Sequence, residues 1–213
     1  VVKVDGKVEK DAKTHVDPDT QNVEVHGEIV EYKEFIYLMM NKPPGILSAT
    51  EDRSQQTVVD ILEEEDQLFA PFPVGRLDKD TEGLLLLTND GQLSHSLLSP
   101  KKHVPKTYYA VILGEVTEED IVAFKKGVTL DDGYVTMPAD LTILASGNQS
   151  EIELTIKEGK FHQVKRMFES VGKKVTYLKR IQMGDLPLDE TLELGEYREL
   201  TDEEVEVLRS SNS

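Results

Sequence analysis

The run of four leucines at residues 84–87 constrains this chain more than any other stretch. It has no polar face, so it must be covered on both sides. At this length it predicts a fully buried strand and is far too short to cross a membrane. The segment before it is opposite in character. Residues 76–83 (RLDKDTEG) carry three carboxylates, an arginine and a lysine. A charged loop anchored to a buried strand is costly unless its charges are paired or used. Behind the leucines, Asn89, Asp90 and Gly91 are expected to reverse the chain, because these residues tolerate positive φ.

The loop admits three readings. Asp78, Asp80 and Glu82 alternate before Gly83 like the start of a calcium loop, but Asn89 stands where a bidentate glutamate would close it and the flanks read as strands. A plain charged turn with an Arg76–carboxylate bridge is the second. The third is catalytic: one carboxylate on a rigid loop, acting as nucleophile or base and kept ionised by a nearby cation, for which Lys165 is a candidate. His162 invites a general-base or phosphate-facing role. The five histidines show no metal-ligand spacing, and neither a Walker loop nor a dinucleotide fingerprint is present. Tyr108 and Tyr109 alternate on a strand beside Lys106, so one ring should face the core and the other a surface, where it could stack on a base.

The net charge of −17 argues against a nucleic-acid partner if taken alone. Its distribution does not. Residues 157–180 hold eight Lys or Arg against two Glu, and Lys101, Lys102, His103 and Lys106 form a second basic group. A solvated lysine face is the plain alternative. The chain has no cysteine, so disulfides and thiolate zinc sites are excluded. The start has no signal-peptide core, which sets a cytoplasmic expectation. It begins on Val1, and residues are expected upstream.

Residues 1–32 read as a small β unit, with strands at 1–4 and 23–26 and a hairpin turn at Asp5-Gly6. Thirty residues cannot bury a core of their own. A linker is expected at 28–34, giving units 1–32 and 33–213. Then follow a strand at 34–40, a rigid Pro-Pro-Gly turn at 43–45, and a helix at 57–65. A helix at 92–98 precedes a strand at 106–113. Thr117 and Asp120 form a capping box for a helix ending at Gly127. Short strands are expected at 128–130, 140–144 and 151–156. Val164, Met167, Phe168 and Val171 make one helical stripe closed by Gly172, leaving Lys165, Arg166 and Glu169 off it. A strand at 173–180, another at 192–200 and a capped C-terminal helix from Thr201 complete the chain. Strands joined by short turns favour an α+β fold with a mixed, mostly antiparallel sheet and flanking helices.

Residues 75–91 (GRLDKDTEGLLLLTNDG) resemble the signature of the RsuA-type ribosomal RNA pseudouridine synthases. Three further blocks match in order: residues 41–45 (NKPPG), 106–108 (KTY) and 158–168 (EGKFHQVKRMF). Residues 194–201 (LGEYRELT) also fit. The likeness runs from about residue 36 to the end. The first 32 residues resemble the tail of an S4-type RNA-binding domain, without the two helices that open such domains.

The resemblance implies the pseudouridine synthase fold, preceded by a partial S4-like β unit. It implies isomerisation of uridine to pseudouridine in RNA without a cofactor. It assigns Asp78 as the essential nucleophile or base, Tyr108 as the residue that stacks on the target uracil, and Lys165 as the basic partner of the aspartate. Arg76 matches the arginine that displaces and holds RNA around the flipped nucleotide. Lys42, Lys106, Lys160, His162, Gln163 and Arg166 are expected to contact RNA, and no metal is implied. The expected partner is ribosomal RNA, free or in a partly assembled subunit, met by a monomer without membrane association. His103-Val104-Pro105-Lys106 and Met137-Pro138-Ala139 point to 16S RNA, with a 23S relative as the alternative. Rivals of other classes are a non-catalytic ribosome-assembly protein and a glycosidase pairing Asp78 with Asp80 or Glu82.

Overall fold

The computed structural model describes residues 1–17, 21–30 and 33–211. The chain divides into two units, Val1–Phe35 and Ile36–Ser213. The boundary expected after residue 32 lies outside the described residues.

In the first unit, β1 (Val2–Val4), β2 (Lys7–Glu9), β3 (Val23–Val25) and β4 (Glu28–Val30) form an antiparallel sheet in the order β2-β1-β3-β4. The β1–β2 turn uses Asp5 and Gly6 at φ 49° and 80°, the mirror-image turn that suits a twisted hairpin. The start of the expected linker, Glu28–Val30, is a strand instead. No described side chain in this unit is buried, in keeping with its size.

The second unit is built on a nine-stranded sheet. Its path is β13 (Tyr197–Glu199), β5 (Tyr37–Lys42), β7 (Glu82–Thr88), β11 (Lys174–Met183), β8 (Lys106–Leu113), β10 (Gln149–Ile156) and β9 (Asp140–Ala145). β6 (Phe72–Pro73) pairs with β7, and β12 (Leu186–Pro187) with β11. Only the β7–β11 pair is parallel, so the sheet is mixed and mostly antiparallel. The leucine run lies in β7 at the junction. Leu84 and Leu86 pack into one hydrophobic cluster with Leu93, Leu97 and Leu208; Leu85 and Leu87 pack into another with Leu38, Val58 and Leu77. Period-two alternation between two apolar layers explains four leucines in a row.

The helices are α1 (Glu64–Gln67), α2 (Gly91–Leu98), α3 (Glu118–Lys126), α4 (Gln163–Ser170) and α5 (Asp202–Ser210). Thr117/Asp120 and Thr201/Glu204 form reciprocal capping boxes at α3 and α5. Asp90 does not help reverse the chain with positive φ; it sits at φ −85° and caps α2 by accepting from Leu93 N–H. The helix expected at 57–65 is mostly turns, with only α1 at its end. There, Leu47 and Thr57 form an isolated bridge, and Asp60 N–H to Thr57 O and Leu62 N–H to Val59 O close three-residue turns in place of a helical ladder. The strand expected at 192–200 shrinks to Tyr197–Glu199 because Gly195 at φ 87° turns the chain. At 128–130 there is one isolated bridge, Thr129 to Val135, and no strand.

Candidate active site

The loop at residues 75–81 is fastened on several sides. Leu77 is buried, and Ser48 Oγ lies 3.1 Å from both its N–H and its carbonyl. Thr81 N–H closes a turn on Asp78 O (3.0 Å), and Gly45 N–H reaches Lys79 O (2.8 Å). Beneath the loop lies Lys42, with 0% exposure. Its ammonium donates to the carbonyls of Pro43, Asp78, Lys79 and Thr81 at 2.9–3.3 Å. Burial pulls its pKa down to about 8, against the pull of Asp80, Asp78 and Glu82. The expectation that Lys42 meets RNA is therefore corrected. It has no surface to offer, and it holds the loop that presents Asp78.

Asp78 stands partly exposed in a small cleft with a cavity volume of about 70 Å³. Lys165 and His162 approach it from α4. Lys165 Nζ lies 3.4 Å from Asp78 Oδ2, and His162 Nε2 lies 3.5 Å from Asp78 Oδ1. Lys165 makes its shorter contact, 2.8 Å, with Asp80 Oδ1. Burial would lower the Lys165 pKa, but the two carboxylates outweigh it and raise the pKa above the ordinary lysine value. The same hydrogen bond holds the Asp80 carboxyl below its usual value. Asp80 is thus more than loop structure: it shares the cation with Asp78.

Tyr108 enters the cleft from β8, between the apolar side chains of Ile156, Val164 and Leu178. It packs against two hydrophobic clusters. Tyr109, its neighbour, points elsewhere, bonding Glu151 and meeting the Tyr177 ring edge-on. Arg76 is exposed at the cleft, and among the described residues it forms no ion pair, so the Arg76–carboxylate bridge does not occur.

The remaining expected RNA contacts divide. Lys160 is exposed at the cleft, with its ammonium 4.6 Å from the Tyr134 ring centroid. Lys106 lines an adjoining groove. Gln163 is buried: it accepts from Lys160 N–H and donates to Glu158, bracing the 158–160 segment from below. Arg166, expected to contact RNA, has its guanidinium engaged within the protein: it binds Asp131 and Asp132 and donates to Phe161 O.

Sequence reasoning passed over Phe161. This ring is 75% exposed. It stacks on His162 at 3.8 Å, and His162 sits in the left-handed region at φ 47°. A non-glycine residue there costs free energy and marks a position fixed by its surroundings. Phenylalanine between Lys160 and His162, just before a helix, was the available signal.

The site thus joins a carboxylate, a shared lysine, a histidine and a tyrosine ring in a cleft of mixed lining, with Ile156, Val164 and Leu178 beside Arg76 and Lys160. Residues 36–170 match the RNA pseudouridylate synthase family. An uncharacterized RNA pseudouridine synthase, YtzG, of Bacillus subtilis is 61% identical over 97% of this chain and 87% of its own length. The ribosomal small subunit pseudouridine synthase A of Vibrio cholerae is 42% identical over 96% of this chain and 87% of its own. A crystal structure of a pseudouridylate synthase superposes with a TM-score of 0.76 at 39% identity, covering 97% of this chain and 88% of that one. The chain belongs to the RNA pseudouridylate synthase family.

Proposed function

We propose that this enzyme isomerises a specific uridine to pseudouridine in the RNA of the small ribosomal subunit, with Asp78 as the reacting carboxylate. The observation that carries the reading is the meeting of Asp78, Lys165 and the Tyr108 cleft on a loop fixed by Lys42. The small-subunit assignment is supported by the Vibrio cholerae relative.

The reaction breaks the bond from uracil N1 to ribose C1′, turns the retained base, and joins C5 to C1′. The proton leaves C5 and one is gained at N1, so atoms balance without a cofactor. The uridine must first leave its stack, at a cost of a few kcal/mol. Tyr108 supplies a ring against which the extruded base packs, and Arg76 a charge for the displaced strand. Asp78 acts as nucleophile or base while ionised. Lys165 and His162 are positioning residues beside its oxygens, and Ile156, Val164 and Leu178 shield part of the cleft from the water that would otherwise complete a glycosidase reaction. The four-stranded first unit is the β portion of an S4-type RNA-binding domain in this reading. The substrate is ribosomal RNA, free or in a partly assembled subunit, met in the cytoplasm by a monomer.

The test is chemical mapping of pseudouridine after unmodified small- and large-subunit RNA, and precursor particles, are incubated with the protein. One modified position in small-subunit RNA is expected. Asp78→Asn should abolish it while RNA binding persists; turnover by that variant refutes the role of Asp78, and modification confined to large-subunit RNA refutes the substrate assignment.

A further inference from the structure

A groove of about 450 Å³ adjoins the Asp78 cleft and shares Arg76, Tyr108, Gly159 and Lys160 with it. Two cations line its base. Lys106 and Tyr108 are two residues apart on β8, so their side chains share a face. Arg180 on β11 is the register partner of Tyr108, which places it on that face as well. Lys106 Nζ lies 4.0 Å from the position a Cβ on Gly159 would take, at the junction of cleft and groove.

Neither cation has an anionic partner among the described residues. Arg180 is 2% exposed. Its Nε–H goes to Leu84 O at 2.8 Å, while Nη2 is buried with no acceptor. The Lys106 ammonium is pulled down to about pKa 8, first by burial and then by the charge of Arg180. The carboxylate that lines the groove, Glu158, is already engaged by Tyr134 Oη, Met137 N–H and Gln163 Nε2. Two neighbouring desolvated cations repel each other, and buried charges ordinarily carry counter-charges. The arrangement lacks an anion.

We infer that Lys106 and Arg180 form a phosphate subsite that takes one phosphodiester of the RNA strand beside the extruded uridine. The inference rests on the proposed RNA reading. The groove opens from the cleft, so a strand whose base occupies the cleft brings its neighbouring linkage over these two residues. The guanidinium supplies a planar fork and the ammonium a point charge, a pair suited to two phosphate oxygens. A bound phosphate also relieves the repulsion and raises the Lys106 pKa back toward the ordinary lysine value. Arg180 was not among the sequence-derived RNA contacts; its strand position gave no sign that it is buried beside Lys106.

The test has two arms. In the first, the Asp78→Asn protein binds small-subunit RNA fragments carrying one uncharged methylphosphonate at each linkage near the target. One linkage should cost fivefold or more in affinity. Adding Lys106→Met should make binding indifferent to that linkage and flatten the log Kd–log salt slope by about 0.7, the loss of one single-strand phosphate contact. Lys106→Arg should restore both. Equal sensitivity to every linkage with and without Lys106 overturns the subsite. In the second arm, inorganic phosphate is titrated against the wild-type protein while the Lys106 side chain is followed by NMR. A saturable shift raising its pKa supports the site. Lys106→Met serves as the assignment control, and Arg180→Lys tests the fork if its melting temperature is preserved. No shift overturns the site. Pseudouridine formation with neither Lys106-dependent signal refutes the subsite alone. A phosphate response with no RNA modified refutes the functional reading and leaves the anion site standing.

Discussion

Replacing Lys42 with methionine separates what a buried cation does for stability from what it does for the loop. Methionine keeps the length and apolar volume of the stem. It removes donors from four carbonyls. Two of these, Asp78 O and Lys79 O, keep the N–H groups of Thr81 and Gly45. The change therefore falls mainly on Pro43 O and Thr81 O, at about 1–3 kcal/mol for each buried acceptor left unsatisfied. Against this stands the burial of the charge. A pKa lowered from 10.5 to about 8 corresponds to about 3 kcal/mol of penalty on the ammonium. The two effects are of similar size, so Lys42→Met should cost no more than about 3 kcal/mol at pH 7. The pH dependence is sharper. Between the folded value near 8 and the ordinary value of 10.5, the unfolded chain holds a proton on Lys42 that the folded chain has released. Wild-type stability therefore rises with pH in that window. Lys42→Met lacks this rise, and the contribution of Lys106, shifted in the same direction, cancels between the two proteins. Urea unfolding from pH 7 to 10.5 should show wild type gaining about 3 kcal/mol on the variant. A difference that stays flat with pH, or a loss above about 5 kcal/mol at pH 7, would refute the account of Lys42 as a costly ammonium kept for the loop.

Lys165→Met should raise the Asp80 carboxyl pKa toward its ordinary value, read by carbon NMR, because the Lys165 hydrogen bond is the main cause of its depression. A depressed acid stabilises the fold above its unfolded value and loses that contribution as pH falls, so the variant should show less acid-induced loss of stability below about pH 4. Gly83→Ala should lower stability by about 3 kcal/mol or more in thermal unfolding, since an added Cβ would lie 2.2 Å from Arg180 O at a φ of +108°; an unchanged melting temperature would show that β7 and β11 can separate freely.

The parts of this fold that were legible are those written in short windows. The strand at 106–113, the Thr117–Asp120 box and the α4 stripe depend on neighbours within about a turn, and the structure reproduces them. The leucine run was legible as a buried strand because no other arrangement covers both faces. The errors share a different cause. Val58, Ile61 and Leu62 carry helix-like spacing, yet the bridge from Leu47 to Thr57 ties the start of the segment elsewhere and only short turns follow. Lys42 reads as an exposed lysine before two prolines; three of its four acceptors lie 36–39 residues away. Arg166 reads as an RNA contact, and its acidic partners lie 34–35 residues upstream. In each case, a distant polar group decides what a locally plausible residue does.

The site shows the same division on a finer scale. The loop could be singled out because its charges had to be paired or used, while Asp78 was picked from its three carboxylates only by the family resemblance. Which carboxylate receives the lysine could not, since Asp78 and Asp80 lie two residues apart on one loop and Lys165 reaches both. The geometry explains why both are present. Under the proposed function, with Asp78 alone, Lys165 would form a close pair and draw the carboxylate oxygen away from substrate. With Asp80 taking the 2.8 Å contact, the cation stays near Asp78 at 3.4 Å. It supplies charge while leaving Oδ2 free to move. In this arrangement Asp80 sets the distance at which Lys165 stands from Asp78, and under the proposed function the loop needs its second carboxylate for the first to remain reactive.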